Sequence, residues 1–401
     1  MLRGYSFLVE REERDVFDMH TLVHMVTHAW ARTRHNEVSG YSLPNTISHL
    51  DQIFPDDEWE NRDRWRQLLP HALKTLFTAQ ADLDPEGCHL GFWVGRCLQV
   101  DGHYPEACQV LRQVVAVRKG NLASDDSKVL TSQHVLAMAC IGNGQTAQAI
   151  EILEHVVNIR AQTLQEEHPN RLASQHELGS AYLKNGQVEE AIKLLEHVVN
   201  IRAQTLQEEH PDRLGSQHEL GRAYLEDGQV EEAIKLLEHA VNIRAQTLQE
   251  EHPNRLISQH ELGRAYLEDG QVEEAIKLLE HAVNIRAQTL QEEHPNRLIS
   301  QHELGRAYLE DGQVEEAIKL LEHAVNIRAQ TLQEGHPDRL GSQHMLACAL
   351  YQRGQIREAI ELLEHVARVE KATLREDHPH RVEAEQQLQR WYSRNGIFKE
   401  V

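Results

Sequence analysis

The residues from His252 to Glu293 read HPNRLISQHELGRAYLEDGQVEEAIKLLEHAVNIRAQTLQEE, and the chain keeps returning to them. The His-Pro pair that opens this stretch recurs at His168, His210, His252, His294, His336 and His378. Each start lies 42 residues after the one before. The copy beginning at His294 differs from its predecessor only in its last residue, Gly335 in place of Glu293. A fixed period of this length is the mark of stacked supersecondary units, a solenoid.

Within the unit the residue types predict two helices. Pro253 suits the first helical position, where its missing N–H costs nothing and its fixed φ helps. The first helix then runs to about Glu268, with Gly270 ending it as a left-handed C-cap. Glu273 and Glu274 put negative charge into the first turn of the second helix, where the dipole favours it. Ala275, Ile276, Leu278, Leu279, Ala282, Val283, Ile285 and Leu290 make that helix apolar on more than one flank, as burial between neighbours requires. Gly263, Ala265 and Ala275 allow close helix approach, and a large side chain at Gly263 is expected to overpack the hairpin.

Composition narrows the function classes. The 401-residue chain carries 41 Lys and Arg against 63 Asp and Glu, a formal charge of -22. That balance argues against a phosphate-binding surface and against nucleic acid as a partner. No apolar run approaches a membrane span, and the start MLRGYSFLVEREERD lacks the apolar length of a signal peptide, so a soluble, cytoplasmic protein is expected. Cys88, Cys97, Cys108, Cys140 and Cys348 are odd in number and lack CxxC spacing. Neither a disulfide framework nor a structural zinc site is indicated, and reduced thiols are expected.

Ahead of the repeats, FDMHTLVHMVTHAWARTR places Met19, Leu22, Val23, Val26 and Trp30 at helical spacing, which predicts an amphipathic helix. His20, His24 and His28 lie four apart on another face; without a nearby acidic or Cys ligand, a polar helix face is the simpler reading, and no metal is assigned. A short helix is expected around Ile47 to Ile53. A longer one is expected from about Glu58 to Thr78, buried through Trp65, Leu68, Leu69, Leu73 and Leu76 and kinked at Pro70. From Asp84 the repeat frame holds even where His-Pro is missing. Val94, Gly95, Ala107 and Leu111 fall two periods before Leu178, Gly179, Ala191 and Leu195, and Leu136, Ala137, Ala149 and Leu153 fall one period before. This gives an N-terminal helical region over 1–83 and an array over 84–401. The array holds seven two-helix units, 84–125, 126–167, 168–209, 210–251, 252–293, 294–335 and 336–377, and an eighth first helix from about Pro379 to Arg394. Glu383, Glu385, Gln386, Gln389 and Arg390 give that last helix the polar face a capping repeat needs. The expected fold is all-α, a right-handed α-solenoid of helix hairpins with an N-terminal helical cap.

The columns Leu262-Gly263, Tyr266, Ala275, Leu279 and Ala282 resemble the tetratricopeptide repeat, a helix-turn-helix with a Leu-Gly, Tyr, Ala, Phe, Ala skeleton. The resemblance covers about four-fifths of the chain. It departs in length, since the family's usual period is about 34 residues and its closing proline is replaced here by Ala287. The extra residues are expected to lengthen the second helix by about two turns, roughly 12 Å. Units of this length resemble those of kinesin light chains and of fungal and bacterial STAND receptors, which resemble plant NLR immune receptors. The segments FDMHTLVHMVTHAWAR and FPDDEWENRDRWRQLLPHA are similar to the stretch joining the nucleotide-binding module to the repeats in fungal STAND proteins, whereas kinesin light chains carry a coiled coil there. No GxxxxGK[ST] loop occurs in the chain, so it is similar to the sensor half of such a receptor, as a truncated product or an independent gene.

The resemblance implies that the first helices line a concave groove. The inward stripe is then Ile257, His260, Arg264 and Glu268. Its His column recurs at His134, His176, His218, His260, His302 and His344, its Arg column at Arg222, Arg264 and Arg306. One reading makes Arg264 and Glu268 an i,i+4 pair on a solvated face. The other makes the His and Arg columns a donor-rich strip for a carboxylate-bearing peptide or a C-terminal tail. Otherwise near-identical units differ at Ala173, Gly215, Ile257, Ile299 and Gly341, and at Ser180 against Arg222. All of these lie on the stripe, although Ile257 and Ile299 could equally fill spaces between units. A metal ladder is disfavoured because equivalent residues on stacked helices lie on the order of 10 Å apart. The other His columns, at the helix starts and from His155 to His365, are expected to be structural or exposed.

No GxSxG, HExxH or Gly-rich phosphate loop is present, and every carboxylate pair such as Glu273-Glu274 recurs with the repeat where a catalytic dyad would be unique. The expectation is a non-enzymatic scaffold without cofactors that binds a protein or peptide in its groove. The alternative is a kinesin-light-chain-like cargo or assembly adaptor. In that family, paired Asn residues in the His260 and Glu261 columns grip the peptide backbone, and both are absent here.

Overall fold

The computed structural model describes residues 8–10, 17–19, 43–79 and 83–397. Two short strands, Leu8–Glu10 and Phe17–Met19, pair antiparallel with Leu8 opposite Met19. The helix expected to begin at Phe17 therefore does not. Its remainder, with Leu22, Val23, Val26, Trp30 and the triplet His20, His24 and His28, lies outside the described residues. Beyond this ribbon the described regular structure is helical. Leu43–Ile53 starts earlier than expected, and Trp59–Asn61 forms a 3-10 turn before the helix Arg62–Ala79. Pro70 sits inside that helix on its exposed side, while Trp65, Leu69, Ala72, Leu76 and Ala79 are buried.

From Pro85 onward helix pairs recur with the period of the sequence. First helices span Pro85–Val100, Ser127–Gly142, Pro169–Lys184, Pro211–Glu226, Pro253–Glu268, Pro295–Glu310 and Pro337–Gln352. Their second helices span Tyr104–Asn121, Thr146–Thr163, Val188–Thr205, Val230–Thr247, Val272–Thr289, Val314–Thr331 and Ile356–Thr373. Pro379–Asn395 follows as a further first helix.

The His-Pro corner is a working N-cap. At His252 the imidazole Nδ1 accepts the backbone N–H of Asn254 at 3.2 Å while Pro253 occupies N1, satisfying one of the helix's orphan donors. The same bond recurs at His168, His210, His294, His336 and His378. At the other end Gly270 adopts φ 77°, and the Gln271 N–H returns to the Tyr266 carbonyl at 2.8 Å.

The second helix is shorter than expected. It passes the family's proline column at Ala287 by only two residues, and Leu290 is already extended at φ -119°, ψ 148°. The added length of the unit is instead shared among both helices and the linker that leads to the next His-Pro corner. Leu290 is thus a cap residue and not part of the apolar helix face.

Packing follows the small-residue columns. A Cβ at Gly263 would stand 2.9 Å from Leu279 Cγ, so the hairpin closes here only over a very small residue, glycine in five units and alanine at Ala137 and Ala347. Leu111, Leu153, Leu195, Leu237, Leu279, Leu321 and Leu363, one per unit, are among the largest fully buried side chains. Burying each contributes about 1.5–3 kcal/mol. Units are also pinned to one another by a buried arginine. Arg160, Arg202, Arg244, Arg286 and Arg328 each donate from a second helix to a backbone carbonyl in the next unit's first turn, for example Arg286 Nη1 to Asn296 O at 2.9 Å. Tyrosines reach backwards in the same way: Tyr266 Oη donates to Glu238 of the preceding unit at 2.8 Å.

The array also closes on itself. His294 Nε2 lies 3.1 Å from the Val100 carbonyl, 194 residues away, and Pro295 packs on Gly102. One unit later, His336 and Pro337 lie against Gly144; after another, Pro379 lies against Gly186. The solenoid therefore makes a full superhelical turn in between four and five units, with the His-Pro corners of one turn seated on the helix-helix turns of the turn before.

Candidate functional site: the inner face of the first helices

First helices of successive units touch each other as well as their second helices, which places them on the inner curve. Their inward residues build a continuous network that crosses unit boundaries. Arg222 bonds Glu219 at 3.0 Å and lies 3.4 Å from Glu261 of the next unit. Arg264 bonds its own Glu261 at 2.9 Å and Glu226 of the preceding unit at 2.8 Å, and lies 3.8 Å from Glu303 of the following one. Arg306 continues the ladder to Glu303 at 3.7 Å, Glu310 at 3.2 Å and Glu268.

The expected pairing of Arg264 with Glu268 within one helix is corrected by this geometry. Glu268 turns across the unit boundary to Arg306, because in stacked first helices the neighbouring unit offers a nearer guanidinium than the same helix does. The Arg column is not an unoccupied donor strip either, since every guanidinium in it is held by two or three carboxylates. Glu219, Glu261 and Glu303 escaped notice as partners because the repeat hides them among many exposed glutamates. Their signal was the i−3 spacing to each Arg.

The electrostatics follow from burial and pairing. Burial opposes the charged form of Glu219, but Arg222 and the adjacent imidazoles outweigh it and hold its carboxyl down at about 2. Glu261 is held well below the usual carboxylate range by Arg264 and Arg222, again against burial. In the third unit Ser180 stands where the next three units have Arg222, Arg264 and Arg306, and Glu177 lacks that counter-charge. Burial, with Glu219 nearby, pushes its carboxyl up to about 7.

The His column lies beneath this ladder. His218 and His260 are 5% and 4% exposed, so they are floor residues of the groove. Burial lowers His176, His218 and His260 to about 4, and His134 and His302 to about 3, which keeps the imidazoles neutral. Burial also lowers His344, at the far end beside Glu383 and His380. Ile257 and Ile299, like Ala173, Gly215 and Gly341 in the same column, are half-buried and open to the inner face. The second-helix imidazoles lie elsewhere, pairing with glutamates of the preceding linker, as in His239 with Glu208 at 2.6 Å.

A family model for the tetratricopeptide repeat matches residues 128–204, 170–246, 212–288, 254–330 and 296–372. The chain belongs to the tetratricopeptide-repeat family. A nucleotide-binding leucine-rich repeat (NLR)-like protein of Hyaloscypha variabilis is 34% identical over 77 residues, which are 19% of this tetratricopeptide-repeat chain. The chain spans about 7% of the length of that relative. A crystal structure of nearly identical TPR-like repeats from a Podosopora anserina putative kinesin light chain is 60% identical, covering 52% of this chain and 99% of that one, with a TM-score of 0.42. A Rap protein solved in complex with competence and sporulation factor covers 88% of this chain and 98% of its own at 12% identity and a TM-score of 0.55, a likeness of fold alone. Among the described residues no helix is long and apolar enough to cross a membrane.

Proposed function

We propose that this tetratricopeptide-repeat array is a non-enzymatic scaffold that binds a protein or peptide along the inner face of its first helices, in the manner of the sensor end of an NLR-like receptor. The observation that carries the reading is where near-identical units differ. Ala173, Gly215, Ile257, Ile299 and Gly341 share one half-buried inward column, and the Ser180 exception lies about two turns along the same face. Most residues that hold the solenoid together recur unchanged, Val198 against Ala240 being an exception in the core, so the variation gathered on this column is what a ligand would read. Ile257 and Ile299 supply apolar contact, the paired Arg222, Arg264 and Arg306 supply fixed polar edges, and His176, His218, His260, His302 and His344 shape the floor. The ladder of compensated charge favours a ligand carrying both signs over a purely anionic tail. Repeated, ion-paired carboxylates also offer no distinct acid and base, which supports a scaffold without catalysis.

Residues 1–83 are read as the segment leading into the array and 84–401 as the array itself. The test is a pull-down from host extract with the intact chain and with Ile257→Arg/Ile299→Arg. These positions accept Ala and Gly in sister units, so the fold should survive. Loss of specific partners supports the groove, and an unchanged partner list sinks it. The second reading, a kinesin-light-chain-like cargo or assembly adaptor, is favoured by the 60% identity to the putative kinesin light chain repeats. Recovery of motor subunits in the same pull-down would select it.

A further inference from the structure

We propose that the chain stacks head to tail with further copies of itself, the exposed helix-helix turns of one copy receiving the exposed His-Pro corners of the next. The interface is already present inside the molecule. Gly102, Gly144 and Gly186 are the turn glycines of three consecutive units, and each is covered by a corner from the following superhelical turn: Pro295 on Gly102, His336 and Pro337 on Gly144, Pro379 on Gly186. A Cβ at Gly102 would stand 2.9 Å from Pro295 Cγ, and His294 is 6% exposed while its Nε2 meets the Val100 carbonyl at 3.1 Å. The seam is polar as well as steric, since Lys184 beside the Gly186 turn and Tyr104 both lie in the field of Asp338 at the Pro337 corner.

The repeat carries the same two surfaces past the point where the chain can satisfy them. The turn glycines Gly228, Gly270, Gly312 and Gly354 have nothing within 4 Å of a Cβ position, and their turns are exposed where the covered ones are half-buried. At the opposite rim, Pro169 and Pro211 are exposed, as Pro337 and Pro379 also are, but the turn glycines meet only Pro295, His336, Pro337 and Pro379, so no turn glycine covers the Pro169 and Pro211 corners. Corners all face the preceding superhelical turn and helix-helix turns all face the following one. The free corners therefore lie at one end of the superhelix and the free turns at the other. Two such ends are complementary but not identical, so contact between copies is heterologous and open-ended. The occupant that continues the existing seam is a second copy of this chain. The formal charge of -22 opposes the approach of two copies, so the contact strengthens as salt screens it.

The experiment is sedimentation velocity on the full chain over a range of concentrations in about 0.5 M salt, where charges more than a few ångströms apart are screened. The weight-average coefficient is expected to climb with concentration without reaching a dimer plateau. Asn170→Trp/Asp212→Trp adds bulk at the exposed second position of the free corners, and Asp227→Trp/Asp269→Trp/Asp311→Trp adds it at the free turns. Each variant alone should lose at least tenfold in association constant. Mixed, the two should form a one-to-one complex that grows no further, because each retains the surface the other lacks. That complex also reports that both variants fold. A concentration-independent monomer, a closed dimer, or association undiminished in either variant would overturn the proposal.

Discussion

Arg264 Nη2 and Glu226 Oε1 meet at 2.8 Å across the boundary between two units, and the same guanidinium holds Glu261 of its own helix at 2.9 Å. An arginine that bridges units in this way couples their stabilities, because removing it strands carboxylates on both sides. Glu261 has a side chain 9% exposed, and when Arg264 is lost it keeps Arg222 at 3.4 Å and the buried imidazole of His260 at 3.9 Å.

Arg264→Leu is therefore expected to cost about 3 kcal/mol, as for breaking a buried pair from one side. Arg264→Leu with Glu261→Leu should cost less than the sum of the two single changes by a kilocalorie or more. Urea unfolding of the four proteins measures this. Additive losses would show that the two side chains do not form one unit. The same geometry makes charge reversal of all three groove arginines a test of folding instead of ligand binding.

Gly263→Val tests the close approach of the two helices. Its Cβ would stand 2.9 Å from Leu279 Cγ and 3.1 Å from Leu279 Cδ2, and its two further methyl groups exceed the alanine that Ala137 and Ala347 place in the same column. The expected loss is about 1–3 kcal/mol. Leu279→Ala in the same background should recover part of it by emptying the space the valine needs. Thermal melts distinguish the outcomes, and a double variant no better than the worse single one would reject the contact.

Mild acid should loosen the whole array. Burial holds His176, His218 and His260 at about 4, below the ordinary 6.5, so the folded state binds fewer protons than the unfolded chain between those values. Stability from a depressed imidazole is complete above 6.5 and is lost as pH falls toward 4. From pH 7 to pH 5 each of these groups costs about 2 kcal/mol. Burial also lowers the capping imidazoles of His252, His294 and His336, and protonating their Nδ1 breaks the cap as well. The urea midpoint should drop between pH 7 and 5, and His260→Gln should flatten that slope. A midpoint indifferent to pH would contradict the neutral-imidazole floor.

The solenoid was legible in the sequence because its rules are local and repeated: a proline at N1, a glycine at φ 77°, and small residues where Leu279 must fit. Relations between units were much less legible. Arg286 reads as one polar residue on an apolar helix, and nothing local says that it reaches Asn296 O in the next unit. Glu268 has an arginine one turn away in sequence and bonds a different one. The seam from Val100 to His294 depends on the accumulated twist of several units, a quantity that no window of residues contains. The helix expected from Phe17 failed for a related reason. Periodicity registered its apolar spacing, while pairing of Phe17–Met19 with Leu8–Glu10 is a tertiary choice.

The last junction breaks the pattern that pins the others, and its pH response should run the opposite way to that of the histidines. Glu370 occupies the column of Arg244, Arg286 and Arg328, and Ala384 occupies the column of the serines those arginines bond. Glu370 is 3% exposed, its Oε2 has no hydrogen-bond partner, and burial, with Glu383 and Glu385 adding to it, pushes its carboxyl up to about 7. A raised carboxyl favours the protonated folded form. Its contribution is therefore complete below the unfolded value near 4.5 and is lost as pH rises through 7. Between pH 5 and pH 7 the loss amounts to about 2 kcal/mol. Glu370→Gln keeps the shape and removes the titration. It should slow amide exchange across Pro379–Asn395 at pH 8 and change little at pH 5, once rates are corrected for intrinsic pH dependence. Equal protection of wild type and variant at pH 8 would mean that the Glu370 carboxylate finds a counter-charge at this junction, and that the helix is held there as firmly as its predecessors.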